Sequence, residues 1–140
     1  MDYKLEFQEQ LSRLENSFTS FFREHDFKFK SSKVPIIIYE NSYSELIFDY
    51  DNYGLRFGDL VLSSIVYKNK SNGAVYTIET MLKKLCNLKF IELFEHYFST
   101  KGFTFYDSHR EIIHTYLNKY ISDADFSWAE NINADYINPT

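Results

Sequence analysis

The distribution of apolar residues predicts an α+β domain: an antiparallel four- to five-stranded meander sheet packed against two long aromatic-rich helices, with a shorter C-terminal helix. Three observations carry this. Residues 3–24 and 77–101 repeat apolar side chains at the three- and four-residue steps of a helix. Residues 27–67 switch to the two-residue alternation of strands, broken by turn signals. The strands are grouped between helices instead of alternating one for one with them, which is the order of an α+β chain. The 140 residues are the size of one domain, placed over residues 1–121 and followed by an acidic, aromatic tail over 122–140.

The first helix is read from Phe7, Leu11, Leu14, Phe18, Phe21 and Phe22, which form one stripe. At Asp26-Phe27-Lys28-Phe29-Lys30 the period becomes two, setting Phe27 and Phe29 on one face of a strand and two lysines on the other. Residues 34–40 are β-branched and follow as a second strand, with Pro35 at its start or on an edge. After a turn at 41–44, residues 45–51 alternate Leu46, Phe48 and Tyr50 against Ile47, Asp49 and Asp51, then reach the turn signal Asp51-Asn52-Tyr53-Gly54. Leu55-Arg56-Phe57-Gly58 opens a fourth strand; residues 59–67 continue it, or form a short helix capped by Asp59, and strand is preferred. Residues 68–73 are polar and predict a mobile tip.

From Thr77, an N-cap residue, the positions Ile78, Met81, Leu82, Leu85, Leu88, Ile91, Phe94 and Phe98 hold helical spacing up to Lys101-Gly102, with Asn87 as a break point. Phe18, Phe22, Phe94 and Phe98 are the rings predicted to be buried against the sheet. Residues 103–107 read as a short strand, and Ser108 begins a last helix with Ile112, Ile113, Tyr116, Leu117 and Tyr120 inside. Shifting the chain by about 76 residues aligns Leu14, Phe18, Phe21, Phe22, Phe27 and Phe29 with Phe90, Phe94, Tyr97, Phe98, Phe103 and Phe105. Both copies read as an aromatic helix running into a Phe-x-Phe strand.

The formal charge of −5 comes from 15 Lys and Arg against 20 Asp and Glu. Residues 121–140 hold Asp123, Asp125, Glu130 and Asp135 without a single Lys or Arg, so the body is nearly neutral and the tail is acidic. A near-neutral body and a pI of about 5.3 disfavour a phosphate-binding stripe, hence nucleic acid, and favour a basic protein partner. The opening residues Met1-Asp2-Tyr3-Lys4-Leu5-Glu6 carry no apolar leader. The longest uncharged apolar stretches are far shorter than the ~20 residues that cross a bilayer. The expectation is therefore a cytoplasmic chain with no membrane partner; homo-oligomerisation is left open.

Chemistry finds little purchase. One cysteine, Cys86, excludes an intrachain disulfide and a multi-thiolate metal site within one chain. His109 and His114 are five apart and cannot share a metal as an i, i+4 pair would, while His25 and His96 fall at helix ends, where the dipole favours a cation. Glu92 and His96 are spaced as a solvated helical pair. No metal and no cofactor is expected. Asp49 and Asp51, on one strand face with Asp59 nearby, are the alternative acidic site for a small hydrolase or nuclease-like enzyme; the same alternation makes them a solvent-facing edge. The favoured site is the tail, where Trp128 and Tyr136 are aromatic anchors among Asp123, Asp125, Glu130 and Asp135 that select a basic partner. In that reading the tail is dispensable for folding.

The order Phe-x-Phe, Val-Pro-Ile-Ile-Ile-Tyr-Glu-Asn, Glu-Leu-Ile-Phe-Asp-Tyr-Asp and Gly-Leu-Arg-Phe over residues 27–67 resembles small bacterial α+β proteins, immunity-type (toxin-neutralising) proteins among them, over roughly residues 1–85. The resemblance implies a non-enzymatic, cytosolic protein-binding module that neutralises a basic toxin by occluding its surface. It carries no functional motif across residue by residue.

Overall fold

The computed structural model describes residues 3–51, 61–121 and 125–137. Helix α1 (Tyr3–Glu24) is followed by five strands, β1 (Lys28–Lys33), β2 (Ile36–Glu40), β3 (Ser44–Asp51), β4 (Val61–Asn69) and β5 (Ala74–Thr77). They form an antiparallel meander in sequence order. Three helical segments follow. Helix α2 (Ile78–Met81) continues as a π turn over Leu82–Cys86, and α3 (Phe90–Glu95) as a π turn over His96–Thr100. Helix α4 is α-helical over Phe105–Ile112, π-wound over Ile113–Leu117 and α-helical again over Asn118–Ile121. A 3₁₀ turn (Ser127–Asn131) then leads to β6 (Tyr136–Ile137), which pairs with β5 and extends the sheet to six strands.

The core lies between the helices and one face of the sheet. Cross-strand register aligns Ile37, Phe48 and Ile65 in one row and Tyr39, Leu46, Tyr67 and Tyr76 in the next; all seven are buried. Against them α1 lays Phe7, Leu14, Phe18, Phe21 and Phe22. Phe22 stacks on Tyr39 at 4.0 Å between ring centroids, and Phe18 meets Phe48 edge-on at 5.4 Å. Truncating such a ring to alanine costs about 3–5 kcal/mol, so this stripe, more than helix propensity, holds α1 in place. Helix α4 fills the rest of the layer with Ile112, Ile113, Leu117 and Ile121. It is tied to α1 through Asn118 Oδ1, 2.7 Å from His25 Nε2, and through Arg110, which donates to the Ser17 carbonyl at 3.2 Å. His25 is thus buried at the end of α1, where it links the two helices.

Helix α1 ends in a Schellman motif. Asp26 takes φ +58° at the position after the cap, the Asp26 N–H donates to the Arg23 carbonyl at 3.3 Å, and the Phe27 N–H reaches back to the Phe22 carbonyl at 2.8 Å. Phe27 is buried as the apolar partner of that motif. Phe29 comes two residues later opposite Tyr39 on an edge strand and is 49% exposed, so only one half of the expected Phe-x-Phe pair belongs to the core. A bulge between Phe29 and Ser31 shifts the register there.

Other expectations change as well. Residues 61–69 are strand, whereas Leu55-Arg56-Phe57-Gly58 and Asp59 lie outside the described residues. The polar stretch 68–73 is no loose tip: Lys68 and Asn69 are buried in β4, and the Asn69 carboxamide oxygen accepts from the Ser71 N–H at 2.9 Å to shape the turn. Gly73 closes that turn at φ +74°. Residues 103–107 are not a strand, because Thr104 Oγ1 accepts from the Asp107 N–H at 3.1 Å and starts α4 at Phe105. The Asn87 break is present, with φ +56°, and Thr77 caps α2 by accepting from the Thr80 N–H.

The opposite face of the sheet carries a charged row across three strands. Glu40, Glu45 and Lys68 are register neighbours; Glu45, buried at 5% exposure, is hydrogen-bonded by Lys30 and lies 3.9 Å from Lys68 Nζ. Lys70 Nζ reaches Glu40 at 2.6 Å and holds its carboxyl below the usual carboxylate range. The part-exposed Lys70–Glu40 pair is screened and adds little stability, whereas Glu45 and Lys68 are buried together.

Candidate functional surface

The helical layer leaves two adjoining clefts, divided by Phe105 at the start of α4 and by Leu62 of β4. Phe90 opens α3 and Phe94 follows one turn later, so their rings stack at 5.8 Å. Phe94 also meets Phe105 edge-on at 5.6 Å. His109, one turn beyond Phe105, lies in the same cluster, 4.6 Å from the Phe105 ring and 5.1 Å from Phe94. Its Nδ1 is 2.8 Å from the Phe105 carbonyl oxygen, which can only accept, so Nδ1 bears the proton. Burial pushes the imidazole below its ordinary pKa, partly opposed by that hydrogen bond. The resulting cleft of about 470 Å³ runs along Leu62–Ile65 of β4 and is apolar apart from His109 and a polar rim.

The second cleft, about 700 Å³, lies between α1 and the start of α4, with the polar side chains of Gln10, Arg13, Asn16 and Asp107 along it beside Leu62 and Phe105. At its base the Tyr50 hydroxyl donates to Tyr106, whose own hydroxyl donates to Gln10 Oε1 at 2.7 Å. Burial pushes the Tyr106 phenol up to about 12 and that of Tyr50 further still. Both stay protonated at neutral pH and serve as fixed donors, not as acid–base groups.

Beside the aromatic cleft, α3 and its π turn leave two large apolar side chains partly open to solvent, although the Phe98 ring stacks on Phe94 at 5.1 Å. Ile91 is 66% exposed and Phe98, two turns on, is 43% exposed. Exposed Glu92 and Glu95 flank them, and Glu79 stands across the cleft mouth from Ile91; Lys83 and Lys89 border the N-terminal end of the stripe. This differs from the expected arrangement. The core-facing positions of α3 are Phe90, Phe94 and buried Tyr97, while Ile91 and Phe98 turn outward. The segment has apolar residues on both sides of the helix, and spacing alone does not choose between them.

The tail residues are engaged with the body. Trp128 is half-buried, edge-on to Tyr76 at 5.1 Å and close to Tyr67 and Tyr120, with Nε1 buried and unpartnered among the described residues. Asp135 accepts from the Thr77 N–H at 2.7 Å and from the Thr80 hydroxyl at 2.8 Å, which ties the tail to the start of α2. Asp125 caps the 3₁₀ turn by accepting from the Ser127 N–H at 2.9 Å, a bond that holds its carboxyl low. Glu130 is exposed. Tyr136 pairs with Val75 in β6, and Asp123 lies outside the described residues. The structure therefore gives Trp128 a packing role, and it brings Asp135 beside the cleft rim at Thr77 and Glu79.

Of the alternative acidic site, only part falls on the described residues. Asp49 lies on the face of the sheet away from the core, in register with Ile36 and Ser64. Asp51 pairs with Val61 in the backbone, and Asp59 lies outside the described residues. No three His, Cys, Asp or Glu side chains among the described residues come together as a metal-binding group. Cys86 is half-buried, its thiol 3.6 Å from the Tyr116 carbonyl, and burial raises its pKa, which suppresses the thiolate. Among the described residues no helix is long and apolar enough to cross a membrane. The chain matches no protein-family model, no curated protein and no solved structure at a significant level.

Proposed function

We propose that this protein is a non-enzymatic binding module that covers the surface of a basic protein partner, in the manner of an immunity-type protein. The observation that carries the reading is the exposed pair Ile91 and Phe98 on α3, flanked by Glu92 and Glu95. Large apolar side chains grouped on an otherwise polar helix face mark an interaction surface, and the partner's charge follows from the acids around them. Glu92 and Glu95 are exposed beside the stripe and Glu79 stands across the cleft mouth, with Lys83 and Lys89 at one end, and the whole chain carries −5. The stripe supplies desolvated contacts, and the carboxylates steer approach. The exposed tail acids Asp125 and Glu130 add to this steering.

The test is parallel affinity capture with the intact chain and an Ile91→Asp/Phe98→Asp variant, at low and high salt, with mass spectrometry of what is retained. A basic protein held by the intact chain, lost from the variant and released by salt is the expected result. Equal retention by both chains, or retention of acidic proteins only, overturns it. Both positions are exposed, so circular dichroism of the variant should match that of the intact chain.

A further inference from the structure

The aromatic cleft has features that packing alone does not require. Filling it with apolar side chains would satisfy the core, yet the sequence places an imidazole there and desolvates it. Desolvating a polar group is unfavourable unless its hydrogen bonds are made. Nδ1 meets that need by donating to the Phe105 carbonyl; Nε2 has no protein hydrogen-bond partner among the described residues and is not one of the atoms shut off from solvent, so its lone pair is open to a molecule in the cleft that His109 lines. Three phenylalanines, Phe90, Phe94 and Phe105, surround that ring at centroid distances of 5.4, 5.1 and 4.6 Å. Ile65 and Ile113 line the cleft between them and are buried. Its volume, about 470 Å³, falls within the range of small-molecule sites, which are typically mostly apolar with a few placed polar groups.

From this geometry we infer that the cleft between α3, α4 and β4 binds a small planar aromatic molecule bearing one hydroxyl or amine donor, its ring packed among Phe90, Phe94 and Phe105 and its donor on His109 Nε2. The chemistry sets each part of that description. Faces and edges of phenyl rings favour another ring, stacked or edge-on. The neutral imidazole accepts but cannot donate from Nε2, so the ligand must supply the proton. Neither a lysine nor an arginine lines the cleft, so an anionic group would find no counter-charge. A phenol or an indole fits; a carboxylic acid or a phosphate does not.

The experiment titrates the full chain by calorimetry with p-cresol and with toluene, which differ by the hydroxyl, and follows the His109 ring resonance by NMR. Saturable binding of p-cresol at one site is expected, in the range of about 1 mM or tighter for so small a ligand. Toluene should bind about tenfold more weakly, the worth of one net hydrogen bond. The His109 resonance should move with p-cresol occupancy. His109→Phe should erase the difference between the two ligands while retaining toluene binding, and His109→Gln, which keeps an acceptor, should restore part of it. Absence of saturable p-cresol binding overturns the inference. So does equal affinity for both ligands with an unmoved His109 resonance. Should His109→Phe fail to fold, the two ligands and the resonance of the unmodified chain still decide the matter.

Discussion

His109 has its two ring nitrogens in unlike surroundings, and that asymmetry also reaches stability. Burial holds its folded-state pKa below the ordinary value of 6.5, whereas in the unfolded chain the imidazole titrates normally. The folded state therefore stays neutral while the unfolded state gains a proton as pH falls through about 6.5. The stabilising contribution is present above that value and lost below it. In denaturant titrations between pH 8 and 5.5 the midpoint should drop on the acid side, by at most about 1.4 kcal/mol per pH unit, and His109→Gln should flatten the drop. Identical slopes for both chains would place the acid sensitivity elsewhere. Glu40 also loses a favourable state on acidification, but as a carboxyl it titrates in a lower window, so the two are separable. At this scale the sequence shows which side chains are apolar and not which of them are covered. Phe18 and Phe22 are buried, Phe94 is partly covered, and Phe98 is exposed, although all four sit in similar aromatic stripes.

The shared signal 76 residues apart finds its physical basis in how helices end. In α1 the left-handed residue is Asp26, after which Phe27 folds back onto Phe22 at 6.4 Å. Beyond α3 it is Gly102 at φ +75°, after which the Phe103 N–H bonds the Tyr97 carbonyl at 2.9 Å and its ring meets Tyr97 at 5.5 Å. Asn87 repeats the device beyond α2, with the Leu88 N–H on the Leu82 carbonyl at 3.1 Å. The common element is thus an aromatic or aliphatic residue that closes a helix behind a left-handed turn, not a Phe-x-Phe strand. What comes next differs, since β1 follows Phe27 whereas the Thr104 cap starts α4 after Phe103. Thr104 with Asp107 three residues later was the sequence signal for that helix start. A Cβ at Gly102 would meet nothing within 4 Å, so Gly102→Ala should cost only the left-handed backbone penalty of about 1–2 kcal/mol. Asp26→Gly relieves the same penalty and should be neutral to stabilising by up to about 1 kcal/mol. Denaturant midpoints of the two variants moving in the same direction would refute a shared capping role.

For the molecule as a whole, the consequential feature is the return of the tail. β6 pairs with β5, Trp128 covers Tyr76 and Tyr67, and Asp135 caps the start of α2. Truncation after Ile121 would uncover two core tyrosines and the β5 edge. It should therefore lower the denaturant midpoint markedly, with Trp128→Ala, a half-buried ring, reproducing part of the loss at about 1–3 kcal/mol. A truncated chain as stable as the full one would restore the tail to the status of a detachable arm. The choice between strand and helix over residues 59–67 was left to the structure, which makes Val61–Asn69 a strand. The sequence by itself determined the α+β class, α1 to within its observed bounds, strands β2 and β3, the break signals at Asn87 and Gly102, and the imbalance of charge between body and tail. These follow from short-range periodicity and local backbone preference, which neighbouring residues set among themselves. Only the tertiary structure decided that Phe90, Phe94 and Tyr97 face inward while Ile91 and Phe98 face out, that His109 joins three phenylalanines, and that Trp128 belongs to the packed layer. The reason is physical: a chain with 14 Phe and 12 Tyr has more apolar faces than one sheet can cover, and which faces are covered depends on contacts between residues far apart in the chain, whose energies no local pattern encodes.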